Sequence, residues 1–386
     1  MAMNIYIITL LGTLIIGFSI YYLTSKNLAL KNYKGFIERY GHKLEEYDVT
    51  TEDGYIINLW HLHPKFDVNP EKVIFLQTGF ICTDLFFFEL EENSMPYVLQ
   101  EKGYDVWLGN NRGSKVSSKH VSKNSKDLNG DYWEFSADHF IKYDIPSEIN
   151  FIKNKTGAEK IDYVGYSEGS ALFFMLYMDN PQFVESSINK FISIGTVPNL
   201  LDVPYTLMFI LDAHTDFFKI AKPLNKAFQL SDKTRTQLVK AVQNYPKAIE
   251  ILFQELGIIT NRTKAENFIH FFSYYPSDTS IYHFYQWDKI QEEKKLVYYS
   301  PKSEENDEIK EYDLNVLKNW KIKALMTRSK CDDFSQYDEV TKLYDTIQNK
   351  SLITLYDIEY AHLDFFFAKS ALDDFYIPMI NYLDEK

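Results

Sequence analysis

Short apolar runs alternate with longer stretches of mixed polarity along most of the chain. The runs are Val73–Gln77, Asp105–Gly109, Ile161–Gly165, Phe191–Ile194, Ile322–Met326 and Leu352–Leu355. Nearly continuous apolar runs separated by helical segments are typical of strands that are buried on both faces of a parallel sheet. A β-hairpin precedes them, because strand-like residues at Tyr47–Val49 and Ile56–Trp60 flank the turn sequence Thr51–Gly54. The pattern therefore predicts an α/β fold with a mostly parallel central sheet and flanking helices.

The segment before Ile161 carries clear helix boundaries. Asp144 can cap a helix, Pro146 falls in its first turn, and Gly157 lies where the chain must turn out. We therefore predict a helix between Asp144 and Gly157 that leads into the strand at Ile161.

The alternation stops between Val197 and Trp320. Segments such as Leu207–Leu211 and Phe268–Phe272 are apolar and aromatic, but they do not alternate with strand-like runs. The strand-like pattern resumes at Ile322, which favours a mostly helical insertion over residues 197–320 that returns to the same sheet. A separate small domain is the alternative.

The amino-terminal residues 5–23 contain no charged side chain. As a helix they span about 28 Å, close to the hydrocarbon thickness of a bilayer. No Lys or Arg precedes them and no small-residue cleavage site follows, which favours a single-pass anchor over residues 1–30. Lys26, Lys31 and Lys34 would place the main domain on the cytoplasmic side. For such an anchor, the expected location is the endoplasmic reticulum or a lipid droplet. A cleaved signal peptide, giving a secreted or lumenal protein, is the alternative.

The composition limits the classes of partner. Asp and Glu number 54 and Lys and Arg 41, so the formal net charge of −13 would repel nucleic acid. Two cysteines, Cys82 and Cys331, exclude a disulfide framework and a cysteine-rich zinc module. His61 and His63 would share one face of a strand, but no third metal ligand is evident. We therefore predict no metal site.

A G-x-S-x-G pattern at Gly165–Gly169 follows the Ile161 run and precedes an apolar, helix-like run at Ala171–Met178. A nucleophile on a sharp strand-to-helix turn has strained backbone angles, and the two glycines remove Cβ atoms that would collide there. The helix that begins at this turn directs its positive end toward negative charge developing beside the serine. We therefore predict a nucleophile elbow with Ser167 as the nucleophile.

A serine nucleophile needs a general base, and the base needs a carboxylate to orient it. In folds with this elbow the chain order is Ser, then Asp or Glu, then His. Among nine histidines, only His362 lies well downstream of Ser167 and beyond a late strand. Asp332 also follows a late strand, so both residues are predicted at carboxyl ends of strands, where open α/β sheets place their sites. Spacing alone does not separate Asp332 from its neighbour Asp333.

The tetrahedral intermediate of acyl transfer needs two backbone N–H donors. One is predicted at Glu168, the residue after the nucleophile. The other belongs to the loop Gln77–Ile81 after an early strand, where Gly79 allows a sharp turn and the amide of Phe80 is the predicted donor. An ionised Glu168 carboxylate that pointed inward would oppose the oxyanion.

With these motifs, the sequence resembles the acid lipase family, the α/β-hydrolases that include gastric and lysosomal acid lipases and yeast membrane-anchored steryl ester hydrolases. The resemblance runs from about Tyr40 to Tyr376. Its signatures are Thr51–Ile56, Phe75–Gly79, Gly103–Asn110 with Arg112 and Gly113, Lys142–Pro146, Gly165–Gly169, Pro276–Ile281 with Trp287, Asp332, and His362–Phe365.

The resemblance implies a catalytic triad of Ser167, Asp332 and His362, and its spacing favours Asp332 over Asp333. It also implies that the oxyanion donors are the amides at positions 80 and 168. The expected activity is hydrolysis of neutral-lipid esters, such as steryl esters or acylglycerols, at a membrane or lipid-droplet surface. No cofactor is implied.

In domain terms, the resemblance implies an α/β-hydrolase domain over residues 31–386, with residues 197–320 as a cap and lid over an apolar acyl tunnel. The chain departs from the family at Thr78 and Tyr166, where His is usual, and at Glu168, where Gln is usual. These departures bear on substrate range and efficiency more than on the triad. They leave open an acyltransferase that uses the same triad and a catalytically silent, membrane-tethered lipid-binding relative.

Overall fold

A nine-stranded sheet forms the centre of the computed structural model, which describes residues 33–65, 69–197, 225–299 and 310–385. In chain order the strands are β1 (Leu44–Thr50), β2 (Tyr55–Leu62), β3 (Val73–Gln77), β4 (Asp105–Gly109), β5 (Lys119–His120), β6 (Ile161–Tyr166), β7 (Ile188–Ile194), β8 (Ala227–Phe228), β9 (Thr279–Ser280), β10 (Lys323–Arg328) and β11 (Ile353–Asp357). The sheet has the order β1-β2-β4-β3-β6-β7-β10-β11, with β5 beside β2, whereas β8 and β9 pair with each other.

The strands from β4 to β11 along this order are parallel to one another, and β1, β2 and β5 form the antiparallel end. Each predicted apolar run overlaps one strand, so the α/β prediction is confirmed. The predicted hairpin is also confirmed, because β1 and β2 pair around a turn in which the Thr51 backbone N–H donates to the Tyr55 carbonyl at 2.8 Å. Since β3, β6, β10 and β11 are parallel, the loops that follow them meet at one edge of the sheet.

Both faces of the central strands are buried. In β3, Val73 and Phe75 belong to one hydrophobic cluster, and Ile74 and Leu76 belong to a second cluster on the other face. Fully burying side chains of this size contributes about 1.5–3 kcal/mol each relative to leaving them exposed. Burial on both sides explains why these strands are apolar throughout instead of at every second position.

Helices cover both faces of the sheet. In chain order the described α-helices are α1 (Tyr33–Glu38), α2 (Met95–Glu101), α3 (Ala137–His139), α4 (Ile145–Thr156), α5 (Glu168–Asp179), α6 (Pro181–Ser187), α7 (Asp232–Asn244), α8 (Pro246–Glu255), α9 (Phe268–Tyr274), α10 (Ile281–Glu293), α11 (Tyr337–Thr346), α12 (Asp364–Phe367) and α13 (Ile377–Asp384). Helices α4, α5 and α11 pack in the first cluster, whereas α1, α2 and α13 pack in the second.

The helix predicted between Asp144 and Gly157 is α4, and its end is as predicted. Gly157 adopts the left-handed conformation with φ of 74°, and Pro146 lies in the first turn. The predicted cap at Asp144 is wrong. A π-helical turn, Phe140–Asp144, runs directly into α4, and the Asp144 carboxylate accepts hydrogen bonds from the backbone N–H and the Nε of Arg112 at 3.0 and 2.8 Å. The carboxylate is therefore used in a buried ion pair instead of capping the helix.

Residues 225–299 lie between β7 and β10 and carry α7 to α10 together with the β8–β9 ribbon. This segment packs on the main body, because Ser280 Oγ donates to the Trp133 carbonyl at 2.5 Å and the Ser277 backbone N–H donates to the Ile81 carbonyl at 2.6 Å. After it, β10 pairs in parallel with β7. The remaining parts of the predicted insertion, residues 198–224 and 300–309, lie outside the described residues, and its role as a cap and lid stays a prediction.

The predicted anchor over residues 1–30 also lies outside the described residues. Within the part of the chain that the structure describes, no helix combines the length and the apolar character needed to cross a bilayer. The anchor and its signal-peptide alternative therefore stay predictions.

Candidate active site

Ser167 lies at a sharp turn between β6 and α5, where the sequence predicts the elbow. Its backbone has φ of 54° and ψ of −117°, a strained combination that non-glycine residues rarely adopt and that clusters at functional sites. A Cβ atom on Gly165 would lie 2.7 Å from the Gly169 carbonyl carbon, and one on Gly169 would lie 2.3 Å from the Gln77 carbonyl oxygen. The close approach of the chain at this turn therefore requires both glycines.

Hydrogen bonds join Ser167, His362 and Asp332 at the carboxyl edge of the sheet. His362 Nε2 lies 2.8 Å from Ser167 Oγ, and His362 Nδ1 lies 2.9 Å from Oδ2 of Asp332. The side chains of His362 and Asp332 are 8% and 1% exposed, so water competes little for these bonds. The carboxylate favours the tautomer with the proton on Nδ1, which leaves Nε2 free to accept the serine proton.

The structure separates Asp332 from its neighbour Asp333. Oδ1 of Asp332 accepts hydrogen bonds from the backbone N–H groups of Phe334 and Ser335 at 2.9 and 2.8 Å, which fixes the carboxylate beside the imidazole. Asp333 faces Gly257 instead, where an added Cβ atom would lie 2.0 Å from its Oδ2. Burial and the charge of Asp332 raise the pKa of Asp333. Asp332 is therefore the carboxylate that meets the histidine.

A fully buried carboxylate, Asp364, supports the loop that carries His362. It accepts hydrogen bonds from the Ala361 backbone N–H at 2.9 Å, the Thr260 backbone N–H at 3.0 Å and Thr263 Oγ1 at 2.6 Å. The histidine loop is thereby connected to residues 260–263 of the 225–299 segment. Asp364 therefore supports the loop that positions the histidine.

Tyr166, the residue before the nucleophile, also holds the histidine loop. Its hydroxyl donates to the His362 carbonyl at 3.0 Å, and its ring stacks on Phe86 with centroids 4.8 Å apart. Burial raises the pKa of Tyr166 well above its ordinary value, so the hydroxyl keeps its proton and remains a donor. Gly195 packs close to the imidazole, where an added Cβ atom would lie 3.2 Å from Nδ1. Sequence reasoning assigned neither role.

The loop after β3 passes directly beside the nucleophile. A Cβ atom on Gly79 would lie 3.1 Å from the Cβ of Ser167, and Ile81 has a positive φ of 49° that turns the chain away. The Phe80 amide therefore lies in a segment that meets the turn at Ser167, as an oxyanion donor must. Its role, and that of the Glu168 amide, stay predictions.

The Glu168 carboxylate contacts helix α10 of the 225–299 segment. Its Oε1 accepts a hydrogen bond from Trp287 Nε1 at 2.5 Å and contacts His283 Nε2. The side chains of Glu168 and His283 are each 2% exposed, and His283 Nδ1 lies 3.1 Å from Thr279 Oγ1. The carboxylate is therefore held by N–H groups of α10.

Sequence reasoning missed His283 and saw Trp287 only as part of a family signature. The available signal was Glu168 itself, because a carboxylate beside a buried nucleophile needs hydrogen-bond donors. A histidine and a tryptophan four residues apart share one face of a helix and supply two N–H groups together.

The assembled groups match the requirements of acyl transfer: a nucleophile, a base, an orienting carboxylate and two nearby backbone amides. His61, considered as a metal ligand, instead has its Nε2 2.6 Å from Asp105 Oδ1. Among the described residues, no group of three or more His, Cys, Asp or Glu side chains is arranged to hold a metal ion.

Comparison with known proteins places this geometry in a family. A family model described as alpha/beta hydrolase fold matches residues 73–303, more than half of the chain, and one described as partial alpha/beta-hydrolase lipase region matches residues 34–89. Gastric triacylglycerol lipase from Rattus norvegicus is 28% identical over 374 residues, which cover 92% of each protein. Lysosomal acid lipase/cholesteryl ester hydrolase from Homo sapiens is 38% identical over 175 residues, covering 44% of this chain and 43% of that protein.

Solved structures agree on the fold. A soluble variant of monoglyceride lipase from Saccharomyces cerevisiae superposes with a TM-score of 0.53 at 14% identity, covering 88% of this chain and 96% of that one. An esterase from Exiguobacterium antarcticum gives a TM-score of 0.51 at 12% identity, covering 88% of this chain and 100% of the esterase chain. The match over more than half of the chain shows that this chain belongs to the α/β-hydrolase fold family, and the lipase-region match together with the gastric and lysosomal acid lipase relatives supports a serine-type carboxylic ester hydrolase of the acid lipase type.

Proposed function

We propose that this ester hydrolase cleaves neutral-lipid esters, such as steryl esters or acylglycerols, through an acyl-enzyme on Ser167. The observation that carries the proposal is the chain of hydrogen bonds from Ser167 Oγ through His362 to Asp332, which are 2.8 and 2.9 Å long. Relatives named triacylglycerol lipase and cholesteryl ester hydrolase support the lipid class.

In the first half of the reaction, Ser167 Oγ attacks the ester carbonyl carbon while His362 Nε2 takes the hydroxyl proton. Asp332 stabilises the imidazolium that forms. The carbonyl oxygen becomes an oxyanion and accepts hydrogen bonds from the backbone N–H groups of Phe80 and Glu168. When the tetrahedral intermediate collapses, the bond to the alcohol oxygen breaks and the imidazolium protonates that oxygen, which leaves an ester of Ser167.

In the second half, a water molecule attacks the acyl-enzyme and His362 takes one of its protons. The second tetrahedral intermediate expels Ser167 Oγ, which recovers its proton from His362. The products are a carboxylic acid and an alcohol. A lipid alcohol in place of water would give acyl transfer from the same intermediate.

An apolar cluster beside the oxyanion loop supports a fatty acyl substrate. Ile281 and Phe284 of α10 are buried in a cluster against which Phe80, Ile81 and Phe228 pack, and the rings of Phe80 and Phe284 lie 5.0 Å apart. This cluster borders the loop that would hold the ester oxygen, so an acyl chain would have apolar contacts on leaving the site. We propose that residues 197–320 serve as the cap and lid over this region.

For location, we propose that the amino-terminal segment joins the enzyme to a membrane or lipid-droplet surface, where neutral lipid collects. The charge-free run of residues 5–23 supports this. Two measurements distinguish a retained anchor from a cleaved signal peptide. An anchor remains part of the mature protein's mass, and the protein resists extraction from membranes by alkaline carbonate. A signal peptide is absent from the mature chain.

The test of the function is a substrate panel with the wild-type protein and the Ser167→Ala variant. Steryl esters, triacylglycerols and short soluble esters are incubated with each, with and without an acceptor alcohol. We expect long-chain ester hydrolysis that Ser167→Ala reduces by at least about 10⁴-fold with the fold intact, as for other removals of a triad nucleophile. Activity confined to short soluble esters would contradict the lipid assignment, and an acylated acceptor as the main product would indicate a transferase. Absence of a fluorophosphonate adduct on Ser167 would support the silent alternative.

A further inference from the structure

His283 contacts both residues whose backbone amides are proposed to receive the oxyanion. Its Nε2 contacts the Glu168 carboxylate, and its ring packs edge-on against the Phe80 ring with centroids 4.7 Å apart. The Phe140 ring packs against the same imidazole at 4.9 Å. Glu168 and Phe80 lie in segments far apart in sequence, and one side chain of α10 therefore touches both.

The contact between Glu168 and His283 also places two ionisable groups beside the nucleophile. Both side chains are 2% exposed, and an unpaired carboxylate at such a place is strongly unfavourable. The pair has no net charge when Nδ1 of His283 donates its own proton to Thr279 Oγ1, 3.1 Å away, and a second proton lies between Nε2 and the carboxylate, on either atom. Without His283, Glu168 would keep the N–H of Trp287 at 2.5 Å but would have no partner that supplies a proton.

We propose that His283 is a positioning residue of the oxyanion hole. It holds the Glu168 and Phe80 segments in a fixed relation, and it neutralises the Glu168 carboxylate so that this group does not oppose the developing negative charge. This inference rests on the proposed function, in which the two amides stabilise an oxyanion formed at Ser167. The oxyanion exists in the transition state and not in the bound ester, so the loss of His283 should lower kcat and leave KM little changed.

The structure offers a matched control on the neighbouring helix. In α9, His270 Nδ1 lies 2.8 Å from Glu89 Oε1, and Tyr274, four residues on, contacts the same carboxylate oxygen. In α10, His283 and Trp287 engage Glu168 with the same spacing. The two sites thus share a histidine, a second donor four residues later and a buried glutamate, but only Glu168 adjoins the nucleophile.

The experiment compares His283→Gln, the double variant Glu168→Gln/His283→Gln, and His270→Gln in the full chain. A glutamine amide at position 283 keeps an N–H for the carboxylate but cannot share a proton with it. We expect His283→Gln to lower kcat at least tenfold with KM within twofold of wild type. The double variant removes the charge and pairs two amides, and we expect its kcat to be at least threefold above that of His283→Gln. His270→Gln should leave kcat within twofold.

Rates are expressed per active site, titrated with a fluorophosphonate, so that loss of folded protein is not counted as loss of kcat. The rate of phosphonylation gives a second reading, because that reaction also places negative charge in the oxyanion hole. A kcat of His283→Gln within twofold of wild type, or a double variant no faster than the single one, would overturn the inference. Failure of wild type to hydrolyse esters, or full activity of Ser167→Ala, would instead overturn the proposed function.

Discussion

Gly169→Ala is the substitution whose effect the structure defines most directly. The new Cβ atom would lie 2.3 Å from the Gln77 carbonyl oxygen and 2.8 Å from that of Thr78. Contacts of a Cβ atom shorter than 3.0 Å essentially do not occur, so the two segments must separate by about 0.7 Å. One segment leads directly to Phe80 and the other begins at Ser167, so the separation falls between the two proposed oxyanion donors.

The size of the effect follows from hydrogen-bond geometry. A donor placed about 2.9 Å from the oxyanion would move to about 3.6 Å, a distance at which no useful hydrogen bond remains. Loss of one such donor lowers kcat by about 10²–10³-fold. Overpacking of a tight contact also lowers the free energy of unfolding, by about 1–3 kcal/mol. We therefore expect a folded, less stable enzyme with a strongly reduced kcat.

Gly157→Ala provides the control for stability alone. Gly157 has φ of 74° and no atom within 4 Å of an added Cβ, so alanine there costs about 1–2 kcal/mol through backbone strain without displacing a neighbour. Both variants are compared by thermal unfolding and by kcat on a soluble ester. Equal loss of kcat in the two variants, or a folded Gly169→Ala enzyme within threefold of wild type, would refute the reasoning.

Two further predictions follow from the carboxylates. Asp332→Asn should lower kcat by about 10⁴-fold, because an amide favours the wrong tautomer of His362, whereas Asp333→Asn should stay within threefold. Equal losses in steady-state kcat would show that the two aspartates are not separated as described. Burial, followed by the charges of nearby acids, raises the pKa of Glu148 well above its ordinary value, so the folded state holds a proton that the unfolded state releases above about pH 4.3. The stability that protonation provides is lost as pH rises toward the folded-state pKa, so Glu148→Gln should gain stability relative to wild type between about pH 5 and 8. The free energy of unfolding of both proteins is measured by denaturation at each pH. A difference between variant and wild type that does not change from about pH 5 to 8 would contradict this prediction.

The fold was predictable because burial on both faces leaves a direct mark in the sequence. The bounds of β3 and β4 were predicted to the residue, because each strand is centred on a continuous apolar run, Val73–Leu76 in β3 and Val106–Leu108 in β4. The start of β7 was missed by three residues. Near its start, β7 contains two polar residues whose side chains are hydrogen-bonded. Asn189 Nδ2 donates to Asp162 at 2.9 Å, and Lys190 Nζ donates to the Leu383 carbonyl at 2.7 Å. Such partners lie far along the chain, and local pattern does not reveal them.

The candidate site likewise contains residues that the sequence predicts and residues whose roles only the structure shows. Ser167 and His362 could be predicted from order and position, because strand ends in a parallel sheet must meet at one edge. The choice of Asp332 required the family's spacing, and the structure supplies the physical reason in its contacts with the imidazole and two backbone amides. The roles of Tyr166 and His283 depend on contacts across 196 and 115 residues of sequence, so no local pattern indicates them.

Three long-range contacts connect residues 225–299 to the candidate site. The Ser277 N–H binds the Ile81 carbonyl in the oxyanion loop, His283 contacts Glu168 at the nucleophile turn, and Thr260 binds Asp364 under the histidine loop. Two of the three contacts involve buried carboxylates, which would lose hydrogen-bond donors if this segment moved away. The described part of the insertion is therefore a structural support of the site itself. Movement of residues 225–299 away from the main body would therefore break all three contacts.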